Sequence, residues 1–149
     1  MKSLISFPKA AGFTLIEMMC AVALTGVLSS IAYPTYRDVV HKARRFDAQV
    51  ALMQLQMAEE RYRSEHSSYA SLTELGLAAH TPSGQYELTV ASASETGFRV
   101  QAVARGAQAS DTMCHHMQIS VDGLNVSYLS GPDAGLSNTT AANKQCWRI

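Results

Sequence analysis

An apolar run near the start of the chain, interrupted by one carboxylate, limits what this sequence can fold into. The run covers residues 13–33, about 20 positions, and Glu17 lies inside it. A helix of that length crosses the roughly 30 Å hydrocarbon layer of a bilayer. A carboxylate within such a segment costs on the order of 3 kcal/mol on insertion scales. We therefore predict a membrane-spanning helix in which Glu17 has a function that offsets this cost.

The remainder of the 149-residue chain is long enough for one compact domain with a modest core. There are 12 basic and 12 acidic residues, and without residues 1–12 the balance is 10 − 12 = −2. This near-neutral charge does not indicate a dedicated nucleic-acid-binding protein, although a local basic patch is compatible with it. The residues that could form such a patch are Arg99, Arg105, Lys144 and Arg148. We favour the interpretation that they are scattered, solvated charges.

The segment before the apolar run differs from a secretory signal peptide. A secretory signal has its small-residue cleavage site after the apolar stretch. Here the small residues 10–12 precede it, in a short leader that contains Lys2 and Lys9. Cleavage at this point would leave the apolar helix at the new N-terminus as an anchor. A plain signal anchor is the alternative, but it does not explain Glu17.

Residues 12–17, Gly-Phe-Thr-Leu-Ile-Glu, resemble the processing motif of the type IV pilin family. In that family a prepilin peptidase cuts after the glycine and N-methylates the new first residue. The resemblance implies cleavage between Gly12 and Phe13 and methylation of Phe13. It covers residues 9–75 by pattern, whereas the C-terminal half matches only in architecture and in its cysteine pair.

The resemblance also implies that Glu17 acts in filament assembly. Cleavage creates a cationic amine at Phe13, and packing the apolar helices together buries both charges. An ammonium group is a good partner for a carboxylate in a low-dielectric surrounding. The amine and Glu17 are four residues apart and could pair within one subunit, whereas the family pairs the glutamate with a neighbour. A polar residue merely tolerated near the membrane interface is the alternative.

The helix pattern continues beyond the apolar run. Apolar residues recur at spacings of three and four, which indicates one face of an amphipathic helix. We predict that the helix persists to about Arg63 and that this face packs on a sheet. The positions on this face are Tyr36, Val39, Val40, Ala43, Phe46, Val50, Met53 and Met57.

Gly26 and Pro34 mark a weak stretch of the predicted helix. Pro34 removes a backbone donor and can kink the helix, and Gly26 lowers helix propensity by about 1 kcal/mol relative to alanine. In the family the matching stretch loses helical order inside the filament, so we predict a kink or local melting here. An ordinary kinked transmembrane helix is the alternative.

Four strands are predicted in the C-terminal half, at residues 85–91, 98–104, 117–121 and 124–128. Asp122-Gly123 is a two-residue hairpin signal, which would set Val121 opposite Leu124. In the same register Ile119 would oppose Val126, and Met117 would oppose Tyr128. We predict a short helix with a capping box at residues 71–74 and a C′ glycine at 76, and a loop over 130–143.

Cys114 and Cys146 can form one disulfide in an oxidising compartment or remain buried free thiols. The membrane segment implies export and so favours the disulfide, and the resembling family has a bridged C-terminal region. Cys20 lies in the apolar run and is expected to be a buried free thiol. Cys114-His115-His116 could suggest a metal site, but strand neighbours point to opposite faces. We expect no metal, no cofactor and no enzymatic activity.

The predicted fold is α+β, the type IV pilin fold, with a long N-terminal helix on a four-stranded antiparallel sheet and a disulfide-bridged C-terminal loop. We expect a leader at 1–12, a transmembrane and filament-core helix at 13–33, and a periplasmic or extracellular head at 34–149.

The function implied by the resemblance is that of a type IV pilus subunit, major or minor, for adhesion, twitching motility or DNA uptake. The expected partners are other pilin subunits, the prepilin peptidase, the assembly platform and the inner membrane, with DNA weakly supported. The subunit would reside in the inner membrane and then in a filament that crosses the periplasm to the cell surface. The alternatives are a type II secretion pseudopilin, whose major form usually lacks the disulfide, and a DNA-binding minor pilin for transformation.

Overall fold

A computed structural model describes residues 12–147 of the chain. The structure divides after Asp38 into two compact units, and each is described by itself. Most of the predicted leader, residues 1–11, lies outside the described residues, as does Arg148.

The first unit contains the start of helix α1, which extends over Leu15–Glu65. All side chains from residue 12 to residue 38 are exposed. By length and composition α1 contains a segment apolar enough to cross a membrane, and none of that segment is buried. The helix is continuous through Gly26 and Pro34, so melting of this stretch in a filament stays a prediction.

The second unit contains the rest of α1 and one antiparallel sheet in the order β1-β2-β3-β4. A 3₁₀ helix, Gly106–Ser110, joins β2 to β3, and a short helix α2, Thr140–Trp147, follows β4. This arrangement, with a disulfide near the C-terminal end, confirms the predicted α+β pilin fold. The strands are β1 (Tyr86–Ala93), β2 (Gly97–Ala104), β3 (His116–Asp122) and β4 (Asn125–Gly131).

The face of α1 that is buried is not the one that the apolar spacing predicted. The residues that pack into the core are Ala48, Ala51, Leu52 and Leu55, together with core residues of the sheet. The predicted positions Phe46, Val50, Met53 and Met57 are 57%, 38%, 40% and 64% exposed. The prediction was wrong because α1 carries two apolar stripes at helical spacing, and periodicity alone does not select the stripe that meets the sheet.

The β3–β4 hairpin also differs from its prediction. Its loop is Gly123-Leu124, so Val121 pairs with Val126 and Ile119 with Tyr128, two residues from the predicted register. Gly123 has φ +57°, whereas among the described non-glycine residues only Leu136 has positive φ. A Gly-X turn needs a positive φ only at its first loop residue, which is Gly123 here. The predicted Asp-Gly turn would need a positive φ at both of its loop residues. The shift leaves Leu124 in the turn and fully exposed.

Two further segments depart from the sequence prediction. The capping box of Ser71 and Glu74 forms, with Ser71 N–H donating to the Glu74 carboxylate at 2.7 Å. The capping box stands at the start of a series of turns rather than at the start of a short helix. Gly76 is the last residue of these turns and has φ +65°. The predicted 130–143 loop instead contains the end of β4 and the start of α2. Thr139 Oγ1 accepts the Ala142 N–H, which is the N-cap bond that begins α2.

Candidate assembly interface

Glu17 lies in a capping box at the start of α1. The Thr14 N–H and O–H groups donate to Glu17 Oε2 at 2.8 and 2.7 Å, and the Glu17 N–H donates to Thr14 Oγ1 at 3.3 Å. This pairing satisfies groups at the helix start and holds the carboxylate where the helix dipole favours negative charge. The side chain therefore folds back toward Phe13. Sequence analysis missed Thr14, although the Thr-x-x-Glu spacing was the available signal.

Two hydroxyl groups of the apolar run are satisfied within their own helix. The Thr25 hydroxyl donates to the Ala21 carbonyl at 2.8 Å, and the Ser30 hydroxyl donates to the Val27 carbonyl at 2.7 Å. Such bonds remove the need for water or a partner, so these hydroxyls cost little in an apolar surrounding. Cys20 is a free thiol on the same helix, as expected, but it is exposed rather than buried, because no described residue packs on this part of α1.

The exposed apolar residues of α1 in the second unit form one continuous stripe. We call it the outer stripe, and its successive spacings of four, three, four, three and four are those of coiled-coil seams. Within the described residues nothing covers it. Contiguous exposed apolar surface of this kind marks an interaction site. The outer stripe consists of Val39, Ala43, Phe46, Val50, Met53 and Met57.

A buried polar cluster fixes which side of α1 faces the sheet. Arg45 donates to both carboxylate oxygens of Asp111, at 2.6 and 2.7 Å, and the Arg45 and Asp111 side chains are 12% and 4% exposed. Gln108, on the 3₁₀ helix, donates to Tyr86 Oη at 3.1 Å and to Asp111 at 2.9 Å. The Gln108 side-chain oxygen can only accept, so His41 Nδ1, 3.0 Å away, donates to it. Burial raises the pKa of Tyr86 to about 12, so its hydroxyl stays neutral.

The predicted disulfide between Cys114 and Cys146 is present, with a Cα–Cα distance of 5.7 Å. It holds α2 beside β4, where the buried Trp147 ring packs edge-on against Tyr128. The Trp147 Nε1–H donates to the Leu129 carbonyl at 3.0 Å. Asn143 Nδ2 donates to the Tyr128 carbonyl at 2.6 Å, which sequence analysis did not anticipate. The C-terminal segment thus covers part of the β4 edge.

The basic residues considered for a DNA patch lie on separate elements. Arg99 is exposed on β2, Lys144 is on α2, and Arg105 follows β2 and forms an ion pair with Glu87. Between residues 66 and 147 the chain has three basic and six acidic residues. A net acidic balance over this segment does not favour phosphate binding there.

His115 and His116 sit side by side with ring centroids 5.0 Å apart. Burial, and then the neighbouring His115, lower the pKa of His116. Within residues 12–147 no group of three His, Cys, Asp or Glu side chains is placed to hold a metal ion.

Two family models match the chain. One, described as "Type IV minor pilin ComP, DNA uptake sequence receptor", matches residues 34–118. The other, a prokaryotic N-terminal methylation motif, matches residues 7–33.

The similar proteins are named as pilins, fimbrial proteins or a type II secretion system protein. The chain is 35% identical over 72 residues to the type IV major pilin PilA of Myxococcus xanthus, which covers 48% of this chain and 33% of PilA. It is 33% identical over 105 residues to the fimbrial protein EcpC of Eikenella corrodens, which covers 65% and 68%. It is also 37% identical over 68 residues to the type II secretion system core protein G of Pectobacterium carotovorum, which covers 46% and 43%.

The chain spans 33% of the length of the PilA relative and 48% of the length of a fimbrial protein of Neisseria meningitidis. The minor-pilin model nevertheless covers more than half of the chain, and the methylation motif covers the segment before it. The described helix, sheet and disulfide have the arrangement that the sequence resemblance implied. The chain therefore belongs to the type IV pilin family, in the group described as minor pilins of the ComP type.

Proposed function

We propose that the chain is a subunit of a type IV pilus, assembled from the inner membrane after cleavage between Gly12 and Phe13. The observation that carries the proposal is an apolar helix with no buried residue in its N-terminal segment, which directly follows a Gly-Phe pair within the matched methylation motif. In water such a surface is unfavourable by about 25 cal/mol per Å² of apolar area. A bilayer before assembly, and the helices of other subunits after it, would remove this cost.

The geometry at Glu17 supports a role in joining subunits. Its Oε2 atom already accepts both Thr14 donors, and the side chain is exposed. The carboxylate therefore keeps acceptor capacity for the methylated amine of Phe13, in the same helix or in a neighbour. A subunit in the wrong register would bury this charge without a partner, which selects the correct register.

The outer stripe supports the same function in the second unit. Its a/d spacing suits packing against other helices, and the polar cluster around Asp111 keeps it turned away from the sheet. We propose that the prepilin peptidase processes the chain, that the assembly platform lifts it from the membrane, and that the filament extends through the periplasm to the cell surface.

The first experiment is mass spectrometry of the protein extracted from cells with an active prepilin peptidase. We expect the chain to begin at Phe13 and to carry one N-terminal methyl group. A chain that begins at Met1 would contradict the proposal.

The second experiment compares Glu17→Ala with Glu65→Ala, a carboxylate that is exposed at the other end of the same helix. We expect both variants to be processed. Glu17→Ala should be depleted in sheared filaments, because the Phe13 amine loses its partner, whereas Glu65→Ala should enter normally. Equal incorporation of the two variants would contradict the assembly role of Glu17.

A DNA receptor is the second candidate function, because the matching family model is described as a DNA uptake sequence receptor. The acidic balance between residues 66 and 147 argues against strong phosphate contact. Fluorescence anisotropy of the full-length protein in detergent with a DNA duplex would test it, at about 50 and 200 mM salt. Salt-sensitive binding, weakened by Arg99→Ala, would support a receptor, and absence of binding would exclude direct recognition of that duplex.

A pseudopilin is the third possibility, since one relative is a type II secretion protein. The Cys114–Cys146 bridge favours a pilus, given the disulfide-bridged pilins that the sequence resembles. Deletion of the gene separates the two: we expect altered or missing surface pili with secretion intact. The reverse result would assign the chain to secretion.

A further inference from the structure

Glu59 is a fully buried carboxyl group on α1 that the proposed assembly does not use. Its exposed fraction is 0%. Oε2 accepts the Ala70 N–H at 2.8 Å, and Oε1 is buried without a hydrogen-bond partner. Buried charges normally have several partners, because an ionised carboxylate loses a large hydration energy on burial. One hydrogen bond is therefore a poor environment for the ionised form.

The groups around Glu59 add to this disadvantage. Glu60, next to it on α1, and Glu74, on the following segment, are both carboxylates. Burial is the main cause that raises the pKa of Glu59; these two charges raise it further, and the Ala70 bond opposes the rise. In the closed arrangement the neutral acid is thus favoured.

The segment that covers Glu59, residues 66–76, is built only from bends and turns. Among its contacts with the rest of the unit, three are made by the Tyr69 and Ala70 backbone N–H groups and by the Tyr69 ring. The Ala70 N–H donates to Glu59, the Tyr69 N–H donates to the Ser94 carbonyl at 2.9 Å, and the Tyr69 ring packs on Phe98 at 4.7 Å. One of the three is the bond to Glu59. The protonation state of this carboxyl group therefore affects whether the segment stays closed.

We propose that Glu59 is a proton-controlled latch for the 66–76 segment. The neutral acid keeps the segment closed over α1, and release of the proton to solvent opens the segment so that water reaches the carboxylate. Opening therefore increases as pH rises above the ordinary range of a glutamic acid, and it levels off once the closed form is also ionised. The latch concerns the head alone and holds whether or not the proposed pilus function is correct.

Other titratable groups also face this region, and their effects have to be distinguished from that of Glu59. Tyr69 donates to Glu60 at 3.3 Å, and burial raises its pKa above the ordinary tyrosine value, so it stays neutral. Arg63 donates to the His66 carbonyl at 2.9 Å. His66 stacks on Tyr62 and is a minor cause that lowers the pKa of Glu74, so a His66→Gln variant removes this influence.

Hydrogen exchange of the full-length protein in detergent, read by mass spectrometry at pH 5 and pH 8, tests the latch. Over the full titration the opening constant of residues 66–76, corrected for chemical exchange, should rise tenfold for each unit that separates the pKa values of the closed and open forms, and part of this rise precedes pH 5. We expect a rise of at least about threefold, whereas β2 and β3 should open no more at pH 8 than at pH 5. In Glu59→Gln, whose amide oxygen still accepts the Ala70 N–H, the segment should stay closed at both pH values.

Glu60→Gln and His66→Gln are the matched controls, and both should keep most of the pH dependence. An unchanged pH dependence in Glu59→Gln would overturn the proposal. Should that variant fail to fold, ¹³C carboxyl NMR of the unmodified protein decides the question. Titration of Glu59 above the ordinary value of 4.5 supports the latch, and titration at or below 4.5 overturns it.

Discussion

At the scale of single residues, two ion pairs between an arginine and a carboxylate differ in their contribution to stability because they differ in burial. Arg45 and Asp111 form a two-bond ion pair with side chains 12% and 4% exposed. Arg105 and Glu87 also pair, but their side chains are 57% and 31% exposed. Exposed pairs contribute about 0–1 kcal/mol, whereas removing one partner of a buried pair leaves a charge stranded.

We predict that Arg45→Met lowers the free energy of unfolding by about 3–5 kcal/mol. Asp111 would remain buried with Gln108 as its side-chain donor. Arg105→Met, the matched exposed variant, should cost less than about 1 kcal/mol. Denaturant unfolding followed by circular dichroism measures both, and equal losses in the two variants would refute the assignment.

His116 gives a second residue-level prediction, which concerns pH. Burial lowers the pKa of His116, so the folded state disfavours its charged form. The unfolded chain then binds more protons below pH 6.5, and stability falls as the pH decreases from 6.5 toward the folded pKa. Melting temperatures at pH 7.5 and 5.5 should show a smaller loss in His116→Gln. A loss as large as in the unmodified protein would contradict this prediction.

At the scale of elements, α1 presents two apolar stripes that differ in residue size. The inner stripe is the buried one and consists of Ala48, Ala51, Leu52 and Leu55. Its two alanines are small and so leave room for the helix to pack against the sheet. The outer stripe carries Phe46, Met53 and Met57, which are exposed. The polar cluster around Asp111 and the bond from Gln49 Nε2 to the Cys146 carbonyl, at 2.6 Å, both favour the inner stripe.

We predict that Met53→Glu leaves the melting temperature of the head almost unchanged but reduces incorporation into filaments, because it places a charge in the proposed helix interface. Leu52→Ala, one position away and fully buried, should lower the free energy of unfolding by about 2–5 kcal/mol. Thermal melting and quantification of sheared filaments measure the two effects. Normal incorporation of a stably folded Met53→Glu would exclude the outer stripe as an assembly surface.

At the scale of the whole molecule, the ends of the chain have different physical roles. The N-terminal half of α1 is an apolar surface that needs a membrane or other helices. The C-terminal end is closed on the sheet by Cys114–Cys146, with a sequence separation of 32, and by Trp147. Closing a loop of this size stabilises a domain by about 3–4 kcal/mol in the chain-entropy model.

We predict that the double variant Cys114→Ser, Cys146→Ser loses about 3–4 kcal/mol of head stability, because the unfolded chain regains the freedom that the bridge removes. Cys20→Ser, which leaves the bridge intact, is the control and should have no effect on the head. Denaturant unfolding measures the loss. A double variant as stable as the control would show that α2 and Trp147 alone hold this end.

The sequence by itself determined the elements whose causes are local. The 13–33 apolar run, the continuation of the helix to about Arg63 and the four strands follow from hydropathy, spacing and turn residues near each position. The capping box at 71–74 and the positive φ of Gly76 were also predictable, because caps involve neighbours three or four residues apart.

Only the tertiary structure decided what depends on contacts between distant residues. The buried stripe of α1 was selected by Arg45–Asp111 and by the fit of small alanines to the sheet, and neither is visible as periodicity. The hairpin register followed the backbone angle of Gly123 rather than the Asp-Gly pair. The burial of Glu59 beneath the 66–76 segment arose from chain folding over α1. Short-range patterns specify elements, whereas long-range packing and desolvation choose their faces, and those choices decide which groups can act.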